Sequence, residues 1–181
     1  MRVRVPPEVQ FCVVAQLVRA GFLYNQGRGF ESHSHNKFFK MELLNTHPIK
    51  KSDLGFHGNL FGGKLLAWID AAAAGYAMQL CDTPRMVTIS IDKCFFEKPA
   101  KEGQLLKIYG SPQKVGTTSV SIYMEARGHN VYTGDQKVIL KTNIKFVRID
   151  EEGNPIPISD RAKQRIQRMV DGVHDPNDKI I

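Results

Sequence analysis

The chain has 181 residues, 42% of them hydrophobic and 24% charged, with a formal net charge of +7. Residues 1–40 carry six Lys or Arg against two acids, so +4 of that charge sits in the first forty positions and the remainder is close to balanced. The basic balance is therefore no nucleic-acid footprint, no apolar run approaches the roughly 20 residues of a membrane span, and 141 residues after position 40 suit one domain with one core.

In chain order, the N-terminal forty residues stand apart. Val14-Ala15-Gln16-Leu17-Val18-Arg19-Ala20 and Gly27-Arg28-Gly29-Phe30-Glu31-Ser32 read like the conceptual translation of a transfer-RNA gene, so residues 1–40 are expected to be a non-native or disordered extension with the true start at Met41. A leader of mitochondrial type, with Arg2, Arg4, Arg19 and Arg28 outnumbering Glu8 and Glu31, is the rival reading.

From His57 the sequence runs His-Gly-Asn-Leu-Phe-Gly-Gly-Lys-Leu-Leu-Ala-Trp-Ile-Asp-Ala-Ala-Ala-Ala, a glycine-started apolar helix. Between Lys64 and Leu80 its polar side chains are Lys64, Asp70, Tyr76 and Gln79, which gather into no stripe, so the helix is expected to be buried all round. Asp70 has Leu66, Ala67, Ala73 and Ala74 three and four residues away and therefore no cation in reach on its own helix. A carboxylate desolvated without a partner costs several kcal/mol, which marks Asp70 as a candidate for chemistry; the bland alternative is an Asp that reaches solvent at a subunit edge.

Strand periodicity follows. Met86–Phe96 alternates, with Val87, Ile89, Ile91 and Phe95 assigned to one face; further strands are predicted over 104–114, 117–128 (Val120, Ile122, Met124 and Ala126 on one face) and 136–149. Short links predict antiparallel hairpins in a meander. One apolar helix against about five curved antiparallel strands is an α+β single layer, spanning residues 41–160, and it predicts a second subunit to shield the helix. A basic amphipathic helix is predicted over 159–173, outside the core, with the 161–181 region as helix and tail. The cysteines Cys12, Cys81 and Cys94 form no framework and no metal spacing, nor do His47, His129 and His174; free thiols and a cytoplasmic location are expected, with no metal.

Gly58-Asn59-Leu60-Phe61-Gly62-Gly63 with Ala67-Trp68-Ile69-Asp70, Arg85-Met86-Val87-Thr88, Phe96-Glu97-Lys98-Pro99 and Val115-Gly116-Thr117-Thr118-Ser119 resembles the hotdog-fold acyl-CoA thioesterases of the YciA and brain acyl-CoA hydrolase type, over residues 43–160. The resemblance implies hydrolysis of acyl-CoA to a carboxylic acid and CoA, with no cofactor besides the CoA of the substrate. It implies Asp70 as general base or nucleophile, Asn59 as an orienting group, and the Gly62 and Gly63 amides as oxyanion donors, a role that free N–H groups at a helix N-terminus suit. It also implies a homodimer with shared sites and, by analogy, a trimer of dimers. His57, Phe61, Thr88, Lys114, Thr117 and Ser119 are candidates for substrate contact; for the strand and turn residues, ordinary surface polarity is the alternative.

Eight residues of helix separate Gly62 from Asp70 by about 12 Å, whereas an attacker must stand within about 3.5 Å of its carbon. One chain's Gly62 and Asp70 therefore cannot serve the same carbonyl. His57 keeps open a hotdog hydratase or dehydratase pairing a His with a partner's carboxylate, and the fold also admits an inactive acyl-CoA-binding module.

Overall fold

The computed structural model describes residues 41–173; the expected N-terminal extension at 1–40 and the end of the tail lie outside the described residues. Five strands form one antiparallel sheet: β1 (Glu42–Pro48), β2 (Met86–Phe96), β3 (Leu105–Val115), β4 (Ser119–His129) and β5 (Gln136–Arg148). Helix α1 (Gly62–Cys81) lies between β1 and β2 in the chain, and α2 (Asp160–Asp171) follows β5.

The order across the sheet is β1-β3-β4-β5-β2. Only β3, β4 and β5 form the expected meander, because β2 pairs with β5 and not with β3. The segment 97–104 carries the chain from one side of the sheet toward the other. Eight residues reach about 26 Å, ample for the roughly 14 Å between β2 and β3. β1, unassigned from the sequence, supplies the fifth strand and the opposite edge. Its Leu44 packs on the core while Leu43 is exposed.

Alternation builds the core as expected in the centre of the sheet: Val120, Ile122, Met124 and Ala126 are fully buried. Leu65, Ile69, Ala73, Tyr76 and Leu80 of α1 join them with Leu106, Ile108, Leu140, Ile144 and Phe146 in one cluster, each large side chain contributing about 1.5–3 kcal/mol. The helix is not buried all round in a single chain, however. Ala67, Ala71, Gly75 and Gln79 form an exposed stripe, since one sheet can cover only one face of a cylinder.

β2 departs from simple alternation through two bulges, between Thr88 and Ser90 and between Asp92 and Phe95, where Lys93 has φ 47°. Each extra residue reverses the phase. Thr88, Ile91 and Phe96 consequently stand opposite Phe146, Ile144 and Leu140 on the inner face, while Ile89 and Phe95 are exposed. The assignment of Ile89 and Phe95 to the face of Ile91 is thereby corrected.

α2 begins at the expected cap, Ser159 Oγ accepting from the Ala162 amide at 3.3 Å. It does not lie outside the core: Ala162 and Ile166 are fully buried. Arg165 donates to the carbonyls of Gln79 (3.0 Å) and Leu80 (2.7 Å) and to Asp82 (2.9 Å), so a cation closes the C-terminus of α1, where its dipole is negative.

Candidate active site

The approach to α1 is a tight loop. The Gly55 amide donates to the Asn59 carbonyl at 2.7 Å, Gly58 donates back to Gly55 at 3.0 Å, and Leu54 bridges Leu60. Gly58 has φ 67°, a left-handed conformation that glycine adopts without strain. Leu60 and Phe61 then tie the loop down through bonds to the carbonyls of Ala100 and Asp53, both 2.9 Å. This fixes where α1 starts.

Its N-cap is Phe61, which makes no side-chain cap bond. Ser, Thr, Asp or Asn at that place would satisfy a first-turn amide and stabilise the helix by about 1 kcal/mol. Phenylalanine leaves the amides of Gly62 and Gly63 to other acceptors, with the positive end of the helix dipole behind them. Asn59, one turn earlier, has its side-chain oxygen buried without a hydrogen-bond partner. A buried unsatisfied acceptor is costly; other described side chains, His47 and His129 among them, also carry buried polar atoms without a partner, and Asn59 is distinguished by its place just before the diglycine.

Two phenyl rings rest on the diglycine. A β-carbon built on Gly63 would lie 2.7 Å from the Phe61 ring, and one on Gly62 would lie 3.2 Å from the ring of Phe96. Both rings are 55% exposed. Glycine lets the rings sit this close, and a β-carbon at either position would push its aromatic neighbour aside. Phe96 was not among the candidates read from the sequence; its signal, an aromatic closing a strand just before Pro99, does not reveal the bulge that aims it at the helix.

Asp70 lies two turns along α1, half-buried on the flank toward β2. Thr88 donates to its Oδ1 at 2.8 Å. Thr88 was expected along the substrate path; the structure brings it onto the carboxylate itself. Gly62 is thus against the last residue of β2 and Asp70 against its third, at opposite ends of the strand.

The remaining candidates fall elsewhere. His57 is exposed at the loop tip, edge-on to the ring of Phe56 at 5.3 Å. Lys114, on β3, and Thr117, in the following turn, are exposed, and Ser119 opens β4. Ser119 pairs with Val147, which also pairs with Val87, so this hairpin shares Asp70's end of the sheet but is two strands removed from Thr88. Cys81 and Cys94 are free. Burial pushes the Cys81 thiol up to about 11, which makes it a poor nucleophile at neutral pH.

Across α1 from Asp70, Lys64 pairs with Asp53. The hydrogen bond from Lys64 and, next, that from the Lys50 amide hold the Asp53 carboxyl below its ordinary range. Lys64 also stands 5.6 Å above the Trp68 ring, whose plane stacks on His47 at 4.6 Å. The one cation in the helix's first turn is thereby held away from Asp70.

Comparison with known proteins agrees on one family. Residues 57–134 match the thioesterase superfamily model. The acyl-CoA thioester hydrolase YciA of Escherichia coli is 30% identical over 107 residues, covering 58% of this chain and 80% of that protein. Among solved structures, a hexameric hotdog fold thioesterase of Campylobacter jejuni is 31% identical with a TM-score of 0.61, over 68% of this chain and 94% of the other. A hexameric broad-specificity acyl-coenzyme A thioesterase, solved as an aspartate-to-alanine mutant, is 25% identical with a TM-score of 0.68, over 74% and 98%.

Proposed function

The chain belongs to the thioesterase superfamily and is an acyl-CoA thioester hydrolase; on that premise we propose that it works as a homodimer in which Asp70 of one protomer faces the diglycine of the other. The observation that carries this reading is the separation of Gly62 and Asp70 to opposite ends of β2. β2 is an edge strand with Ile89, Phe95 and Phe96 exposed, and an unpaired apolar edge favours addition of another strand. Antiparallel pairing of two β2 strands about a twofold axis brings the Phe96 end of one against the Thr88 end of the other. Each dimer then holds two equivalent composite sites.

In such a site the thioester oxygen accepts from the Gly62 and Gly63 amides of one chain. Asp70 of the other chain takes a proton from water as that water attacks the carbonyl carbon, and returns it to the CoA sulfur as the carbon–sulfur bond breaks. Direct attack by the carboxylate, forming a mixed anhydride that water then opens, uses the same geometry. Thr88 holds Asp70 in place, and the Asn59 side chain orients water or substrate. CoA enters as part of the substrate, so the reaction calls on no further cofactor. The exposed placement of Lys114 and Thr117, with Ser119 half-buried beside them, suits the polar arm of CoA.

The hexameric relatives favour a trimer of these dimers. No described helix is long and apolar enough to cross a membrane, and free thiols suit a reducing compartment, so the cytoplasm is the proposed location. The test is release of free thiol from acetyl-, butyryl- and longer acyl-CoAs by the purified chain. Release abolished in Asp70→Asn supports the assignment. Binding without release, or hydration of crotonyl-CoA without release, overturns it in favour of the binding module or the hydratase.

A further inference from the structure

We infer that the rings of Phe61 and Phe96, seated on the α-carbons of Gly63 and Gly62, form the wall along which the acyl chain runs and set the longest chain that the enzyme accepts. The inference rests on the diglycine serving as the oxyanion site. A thioester carbonyl has two arms. One leads to CoA, whose phosphates must stay near water or cations; the other is a hydrocarbon that gains by leaving water.

The atoms nearest a β-carbon position on Gly62 belong to Phe96, and those nearest on Gly63 belong to Phe61. Each of the two amides therefore belongs to a glycine whose α-carbon has a phenyl ring seated on it. Neither ring is consumed by the chain's own core. Each keeps 55% of its surface exposed, beside a helix whose inner face is buried against the sheet. Backbone contacts hold the main chain from which they project: the Phe61 amide donates to the Asp53 carbonyl, and Phe96 pairs with Leu140 beyond the second bulge of β2. Aromatic faces that the acyl chain must pass act as a ruler, because each methylene admitted or refused in an apolar pocket changes kcat/KM by about 10-fold or more.

The experiment is kcat/KM for straight-chain acyl-CoAs from two to twelve carbons, measured on the wild type, Phe61→Ala, Phe96→Ala, Phe96→Leu and Phe96→Trp, each checked for thermal melting and oligomeric state. Removing a ring is expected to move the optimum to longer chains by two carbons or more, raising the long-to-short ratio at least 10-fold, with Phe96→Trp moving it to shorter chains. Phe96→Leu reports in the same direction should Phe96→Ala not fold. A common factor at every chain length overturns the inference. A wild type that hydrolyses none of these esters instead defeats the underlying assignment, so the two failures are distinguishable.

Discussion

The two flanks of α1 carry opposite kinds of surface. Toward β1, Lys64 pairs with Asp53, Trp68 stacks on His47, and the Leu44 side chain lies over Gly110, 2.6 Å from where its β-carbon would stand. Toward β2, Asp70 has one hydrogen bond from Thr88, the first-turn amides lack a side-chain cap, and Phe61 and Phe96 beside them are exposed; just before the helix the Asn59 oxygen is buried without a partner. The β1 side is packed within the chain apart from His47 Nε2, buried without a partner, and Leu43, which is exposed. The other is left for a substrate and a second copy, and the contrast locates the chemistry more firmly than any single residue does.

Substitutions on the two flanks should therefore separate activity from stability. The largest effect belongs to Asp70→Asn, expected to lower kcat by about 10²–10⁴ while leaving the melting temperature within about 2 °C, because the change is isosteric and half-exposed. Trp68→Ala, on the opposite flank, should do the reverse. Loss of its packing on His47 should cost about 2 kcal/mol by denaturant titration, with kcat of the folded fraction unchanged. Loss of activity from Trp68→Ala without loss of stability would erase the distinction.

Two glycine substitutions sharpen it. Gly110→Ala drives a β-carbon into Leu44 and Met124 inside the core and should destabilise by about 1–3 kcal/mol. Gly63→Ala meets only the ring of Phe61 within 3.5 Å, and that ring is exposed enough to swing away. It should cost little stability yet lower kcat/KM by about 10-fold, since the displaced ring and the new methyl group crowd the amide donors. The smallest effect is on acid stability. Asp53 is held ionised in the folded chain, so its contribution is present above the ordinary carboxylate pKa and is lost as pH falls below about 4. Asp53→Asn should flatten the melting temperature between pH 5 and pH 3, modestly, because Lys64 is itself partly exposed and screened.

Much of this was legible in the residues. The boundaries of β2, the buried face of β4, the Ser159 cap and the glycine start of α1 follow from periodicity and capping rules that act within a few residues. Asp70 stood out because an isolated carboxylate on an apolar helix needs an explanation. What was not legible depends on distant partners. β1 shows weak alternation because an edge strand buries little, and the choice of β5 over β3 as neighbour of β2 is decided by the helix and the 97–104 link rather than by β2 itself. The bulges that turn Thr88 toward Asp70 and Phe96 toward Gly62 leave no mark in a period-of-two reading; indeed they invert it. Exposure of the Ala67, Ala71 and Gly75 stripe was hidden for a related reason, since apolar composition does not say which chain provides the cover.

The most direct measurement is complementation within verified heterodimers of two inactive chains, Asp70→Ala and Asn59→Ala, isolated with separate affinity tags. If sites are shared across the twofold axis, one site in each mixed dimer carries both defects and the other carries neither, so about half of the wild-type activity should return. Activity no greater than that of the two parent homodimers would place both groups in the same chain's site and contradict the account.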